Sequence, residues 1–167
     1  MSAHHLSLLA LALSACLPTT GSDERKCGPS SGTIVNVVDG DTVDLDTGTR
    51  LRLLLVDAPE IAHNSTEVDI CYGPEATQFT TDHVLGQKVT LKYDESACTD
   101  KYGRTLAYVS IGSFELNREL VKQGFACRLY IPPAGDARQD EFADYESEAQ
   151  TDRTGMWGAC TDIPCSK

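Results

Sequence analysis

Asp39-Gly40-Asp41-Thr42 and, a short hairpin later, Arg52-Leu53-Leu54-Leu55-Val56-Asp57-Ala58-Pro59-Glu60 set carboxylates and an arginine inside, or at the ends of, strongly apolar strands. Charge in such positions is costly unless it pairs or meets a metal. Asp41 shares strand parity with Val43 and Leu45, and Asp57 with Leu51, Leu53 and Leu55, so both carboxylates project in line with core columns. Two aspartates with carbonyl oxygens and waters suit Ca²⁺, which takes oxygen ligands and tolerates irregular geometry. The acid spacing and the glycine do not fit an EF-hand loop. Arg52 interrupts the leucine run, either as a snorkelling edge residue or as a planar fork aimed at a phosphate or carboxylate. Glu60 follows Pro59 at the same strand end, where it is either a surface acid or a group that orients or deprotonates a water.

Outward from this pair of motifs the pattern alternates strands and turns. Residues 33–38 and 42–46 read as strands, Asp46-Thr47-Gly48 as a hairpin turn, and 49–56 as a third strand buried on both faces. Residues 74–85 form a helix with Pro74 in its first turn and Gly86 as its stop. Residues 88–93 and 106–111 are two more strands, 116–123 a helix ending at Gly124, and 125–131 a short extended piece. The last helix, 137–150, carries Phe142, Tyr145 and Ala149 on one stripe and acids on the other face, with Trp157 packing after it. Five strands, mostly in hairpins, with helices inserted and appended, predict an α+β protein: a small five-stranded β-barrel of the OB type with three helices.

The chain has 167 residues, enough for one domain with a real core. No apolar run is long enough to cross a bilayer. Residues 1–15 read as an export signal with a short apolar stretch, although no Lys or Arg precedes it. Leu13-Ser14-Ala15-Cys16 resembles a bacterial lipobox; the alternative is ordinary cleavage after Ala10-Leu11-Ala12. Seven cysteines are odd for an exported chain, and acylation of Cys16 would leave six, Cys27, Cys71, Cys98, Cys127, Cys160 and Cys165, for three disulfides. No C-x-x-C spacing suggests structural zinc. Residues 16–31, rich in Pro, Thr, Gly and Ser, form a tether, and the folded domain spans 32–167. Gly28-Pro29-Ser30-Ser31-Gly32 fits G-x-S-x-G only on paper, since no strand precedes it and no helix follows.

A net charge of −11 is a poor footprint for general nucleic-acid binding. Seven acids between Asp136 and Asp152 face only Arg138 and Arg153, so the negative charge is concentrated there and a phosphate-binding surface elsewhere stays open. Asp100-Lys101-Tyr102-Gly103-Arg104 is a loop before a strand; its charges are either solvated or, through Arg104, a second guanidinium across a phosphate. The four histidines, His4, His5, His63 and His83, suggest no nucleophile–base pair.

Asp39 to Thr42, Arg52 to Glu60, Tyr72-Gly73-Pro74-Glu75-Ala76, Asp100 to Arg104 with Leu106-Ala107-Tyr108, and Val121-Lys122-Gln123-Gly124 together resemble the staphylococcal nuclease (thermonuclease) family, in order, from about Gly32 to Trp157. The resemblance implies an OB-fold barrel with three helices and Ca²⁺-dependent hydrolysis of DNA and RNA to products with 3′-phosphate ends. It implies that Asp41, Asp57 and the Ala58 carbonyl hold Ca²⁺, that Arg52 and Arg104 bind the phosphate, and that Glu60 acts on the attacking water. Lys101 would reach a substrate phosphate, and Tyr102 and Tyr130 would line the nucleotide pocket. The resemblance further suggests the pairings Cys71–Cys98, Cys127–Cys160 and Cys27–Cys165, among fifteen possible connectivities.

The chain departs from the family at three places. Ala58 stands where the family often has Thr, keeping the carbonyl but losing a hydroxyl. The loop 61–70 carries Glu67 and Asp69 and no lysine, and Pro132 replaces a second pocket tyrosine. These changes bear on substrate affinity more than on chemistry, and on an acidic protein activity should fall steeply with salt. The leading expectation is an exported nuclease, anchored to the cell envelope through Cys16 or secreted, with DNA and RNA as substrates and no protein partner implied. The alternatives are a non-catalytic nucleic-acid-binding or scaffold OB module, and a structural Ca²⁺-binding lipoprotein that would leave Arg52 and Arg104 unexplained.

Overall fold

The computed structural model describes Met1 and residues 27–165. The expected leader from residue 2 onward, the acylation candidate Cys16 and the tether up to residue 26 lie outside the described residues. Along the chain run β1 (Ser31–Val37), β2 (Thr42–Leu45), β3 (Arg50–Leu53), β4 (Leu55–Asp57), α1 (Gly73–Val84), β5 (Lys88–Lys92), β6 (Thr105–Ile111), β7 (Phe114–Glu115), α2 (Leu116–Lys122), β8 (Cys127–Leu129), α3 (Gln139–Asp152) and the single turn α4 (Met156–Ala159). Antiparallel pairings join β3 to β2, β2 to β1, β1 to β5 and β5 to β6. A parallel pairing of β3 with β6 (Leu51 beside Thr105, Leu53 beside Ala107) closes the circle. The result is the expected five-stranded barrel with three helices, an α+β OB-type fold. Closure leaves no long sheet edge among these strands.

Alternation along the strands fills the barrel. Val43 and Leu45, Leu51 and Leu53, Val89 and Leu91, and Ala107 and Val109 are all buried. The helices add one stripe each: Ala76, Thr80 and Val84 from α1, Leu116, Leu120 and Val121 from α2, Phe142 and Ala149 from α3.

The leucine run is not one strand, as its sequence predicts. It breaks between β3 and β4, and Leu55 takes a left-handed conformation (φ 61°), which costs a non-glycine residue about 1–2 kcal/mol. Side chains replace the lost ladder. Arg52 Nη1 donates to the carbonyls of Leu53 (3.1 Å) and Val56 (2.5 Å), and Asn117 Nδ2 donates to those of Leu54 (2.9 Å) and Ala107 (3.0 Å). Asn117 Oδ1 also accepts the Val109 N–H, so this fully buried amide clamps the break to β6. Past the break, β4 leaves the barrel and pairs with β8, Asp57 lying opposite Cys127.

All six cysteines expected to be oxidised are in disulfides, but none of the suggested pairs forms. The bridges are Cys27–Cys98, Cys71–Cys160 and Cys127–Cys165, with Cα separations of 4.9, 6.0 and 5.6 Å. The chain's path explains the correction. After α3, the α4 turn folds back on the end of α2, where Met156 N donates to Gly124 O, and Tyr72 meets Phe125 nearby. Cys160, capping α4, therefore arrives beside Cys71 at the head of α1. Cys27 leads into β1 and meets the loop before β6 instead of the C-terminal segment. Cys98 is thus taken, and Cys165 falls to Cys127 on β8.

Candidate active site

Two turns and one buried guanidinium build the site. The turn between β1 and β2 presents Asp39, Gly40 and Asp41; the end of β4 presents Asp57, Ala58 and Glu60. Gly40 sits where they meet: a Cβ there would lie 2.7 Å from Ala58 Cβ and 2.9 Å from Ala76 Cβ of α1, so only glycine lets helix and acidic turn approach this closely. Thr80 Oγ1 on α1 donates to the Gly40 carbonyl at 2.6 Å.

Arg52 is a buried hub, and its edge reading is excluded. Beyond its two carbonyl contacts, Nη2 reaches Asp41 Oδ2 at 2.9 Å and Asp57 Oδ1 at 3.3 Å. Asp41 Oδ2 also accepts the Ala58 N–H (2.7 Å), and Oδ1 accepts the Thr42 hydroxyl (3.0 Å). Asp39 Oδ1 in turn accepts the Asp41 N–H at 3.0 Å. Burial pushes the Asp41 carboxyl up to about 7, against the pull of Arg52 and with a further push from Asp39. One guanidinium between several acids leaves this spot short of positive charge.

The donors here suit a hard divalent cation. Asp41, Asp57 and the carbonyl of Ala58 are all oxygen ligands on one pair of turns. An ionised carboxylate offers about four acceptor directions and Asp41 uses three, which leaves one for a cation.

Glu60 is exposed and faces the same region. Its carboxyl lies above the usual range, first through partial desolvation and then through Asp39, while Arg52 and His63 pull it down. Its backbone position is set tightly: Glu60 O accepts the Ile70 N–H at 3.0 Å, and a Cβ on Gly73 would come within 2.4 Å of that oxygen. Glu67 and Asp69, the acids expected to weaken substrate binding, accept the backbone N–H groups of His63 (2.9 Å) and Ala62 (2.8 Å) and so hold the loop that follows Glu60.

Across from these turns stands the loop before β6. Asp100 organises it, accepting the N–H groups of Tyr102 and Arg104 (both 2.9 Å) and pairing with Arg104 Nε at 2.6 Å. Lys101 Nζ lies 4.9 Å, and the Arg104 guanidinium 5.5 Å, from the centre of the exposed Tyr102 ring. Arg52, Asp57 and Glu60 share one cleft of ≈ 670 Å³ with Lys101, Tyr102 and Arg104. Asp41 and Ala58 adjoin it through Arg52 and Asp57. Tyr130 is not brought into that wall: its hydroxyl is bonded to Asp136, while Leu129, Ile131 and Pro132 line the cleft around it. On the other side of Asp57, Ala58 and Glu60, a hollow of ≈ 390 Å³ is walled by Pro164 and Cys165, brought there by the Cys127 bridge.

Three contributors have no role assigned to them by the sequence reading. Asp100 positions Arg104, a role its place four residues earlier hints at. Asp39 and His63 lie beside Glu60, one ligand atom from each of the three being within 4.8 Å of the others. Asp39 was visible in the first motif, whereas nothing in the sequence marks where the His63 ring goes.

Residues 50–159 match the model of the family described as "Staphylococcal nuclease homologue". The chain belongs to the staphylococcal nuclease family. It is 39% identical over 127 residues to the thermonuclease of Staphylococcus intermedius, covering 74% of each chain. It is 37% identical to the thermonuclease of Staphylococcus hyicus, covering 74% of this chain and 73% of that one. It is 32% identical to endonuclease YncB of Bacillus subtilis over 75% of this chain and 60% of that one. The matched staphylococcal nuclease region includes Arg52, Asp57, Glu60 and Arg104, the side chains that share the cleft.

Proposed function

We propose that the chain is an exported, Ca²⁺-dependent nuclease that hydrolyses DNA and RNA to products with 3′-phosphate ends. One observation carries the reading: two guanidinium groups, a general-base candidate and a cation-ready carboxylate line a single cleft. Its relatives named thermonuclease and endonuclease support the same reaction class. Arg52 and Arg104 bind the phosphodiester from two sides and offset the added charge of the transition state. Glu60 orients a water and takes its proton as the oxygen attacks phosphorus. The bond to the 5′-oxygen breaks, that oxygen gains a proton, and the phosphate stays on the 3′ side. Bound Ca²⁺, held by Asp41, Asp57 and the Ala58 carbonyl, would supply Lewis-acid charge neutralisation. Lys101 and Tyr102 steer the strand at the rim, and Tyr130 contributes to the nucleotide pocket if its hydroxyl exchanges Asp136 for substrate.

Export is supported by three disulfides, which persist in oxidising compartments. Six of the seven cysteines are bridged to one another, which supports acylation as the role of the seventh, Cys16. The purified protein, given single-stranded DNA, should cleave with Ca²⁺ and not with chelator, leaving 3′-phosphates. Equal cleavage in chelator would remove the metal role, and no cleavage at all would favour the scaffold reading. The mass of the mature N-terminus decides the anchor: a diacylated Cys16 supports it, and an unmodified start upstream or downstream excludes it.

Metal binding should depend on pH through Asp41. Its carboxyl keeps a proton below about pH 7, and a cation must displace that proton. Ca²⁺ affinity should therefore weaken as pH falls below 7, by up to about tenfold per unit, and level off above it. Calorimetric titration on either side of neutrality measures this, and equal affinities would contradict it.

A further inference from the structure

We propose that Asp39, Glu60 and His63 form a second cation site, selective for a borderline transition metal such as Zn²⁺, which disarms Glu60 when filled. The three come from separate pieces of chain: the β1–β2 turn, the turn after β4 and the loop beyond it. One donor atom from each lies within 4.8 Å of the others. A tetrahedral ion with bonds near 2.0–2.1 Å needs donors about 3.3 Å apart. Glu60 and His63 are both exposed and can rotate to close the difference.

The surroundings favour ligation. Among the described residues, no hydrogen bond involves the Glu60 carboxylate or the His63 ring. Asp39 is buried, and its Oδ1 is oriented by the Asp41 N–H at 3.0 Å, the kind of outer support that raises metal affinity. The His63 backbone is fixed by Glu67 Oε2, and both ends of its loop meet where Ile70 N donates to Glu60 O. One imidazole nitrogen with two carboxylate oxygens suits Zn²⁺, Ni²⁺ or Cu²⁺. Ca²⁺ takes oxygen ligands, so the two sites sort cations by donor type. A cation held here occupies the carboxylate that must accept the water's proton. Only that inhibitory consequence rests on the nuclease reading; the binding does not.

The test uses the full chain with its disulfides intact and excess Ca²⁺ present. His4 and His5 are replaced by glutamine in every sample, so that the N-terminal imidazoles do not compete. Co²⁺ is titrated first, reading its visible ligand-field absorption, and Zn²⁺ then displaces it. One ion should bind per chain, and His63→Gln should weaken both metals by about 10- to 100-fold, the scale of losing ligand support. In DNA cleavage, with each protein's inhibition taken relative to its own rate in Ca²⁺ alone, Zn²⁺ should inhibit the parent protein far more strongly than His63→Gln. No Co²⁺ spectrum, or equal affinity in His63→Gln, overturns the site. Binding through His63 without inhibition overturns the coupling to Glu60 alone. A chain that binds Zn²⁺ through His63 but never cleaves nucleic acid overturns the nuclease reading and leaves the site standing.

Discussion

Glu60→Gln should lower turnover by about 10²–10⁴-fold, the scale of removing one acid–base group, with no change in folding. The glutamine is nearly isosteric, and the loop is held by the Glu60 carbonyl, not its carboxylate. The loss should therefore fall on kcat, with KM little altered. The pH profile gives a second readout. Desolvation and Asp39 raise the Glu60 carboxyl above its usual 4.5. Below that raised value the base carries a proton, so the acidic limb of kcat/KM should lie above 4.5 in the parent protein and vanish in the variant. Single-turnover cleavage across pH with saturating Ca²⁺ measures both, and unchanged turnover would take Glu60 out of the chemistry.

Arg52→Met should cost both activity and stability. Arg52 donates to two carbonyls at the β3–β4 break and pairs with Asp41 and Asp57, all at 2.5–3.3 Å. Removing it strands the buried Asp41 and unsatisfies carbonyls that the break took out of the ladder. Breaking such a buried pair from one side costs about 3–5 kcal/mol, and losing a transition-state donor costs about 10²–10³ in kcat. Arg52→Lys should not restore function, because an ammonium cannot span both acids as a fork does. Arg104 provides the contrast. It is partly exposed and, among the described residues, its ion pair is with Asp100, so Arg104→Met should lose comparable activity with little stability. Urea unfolding at neutral pH, beside kcat, separates the two. Equal midpoints for both variants would refute the structural share assigned to Arg52.

The site could be read from local features because its signals are local. A charge inside an apolar strand stands out wherever the strand goes, and Asp41, Arg52 and Asp57 do converge as that cost argument requires. Alternation at Val43, Leu45, Leu51 and Leu53 named the inner face of the barrel. What misled was also local: an unbroken leucine run reads as one strand, because nothing in residues 49–56 announces that Asn117, 63 residues beyond Leu54, will take the Leu54 carbonyl. Glu67 and Asp69 stand in a loop without lysine, as read, and the structure adds that they brace the loop after Glu60. The cysteines showed that they were oxidised, by number, but not with whom.

The amino-acid sequence alone determined the strand and helix periods, the acids and arginines of the cleft, and the membership of six cysteines in bridges, since each depends on residue type and short spacing. Only the tertiary structure decided the parallel closure of β3 on β6, the break at Leu55, the three disulfide partners and the meeting of Asp39 and Glu60 with His63. These are contacts between distant segments, and the energy that selects them comes from burial and hydrogen bonding that exist only once the barrel has closed.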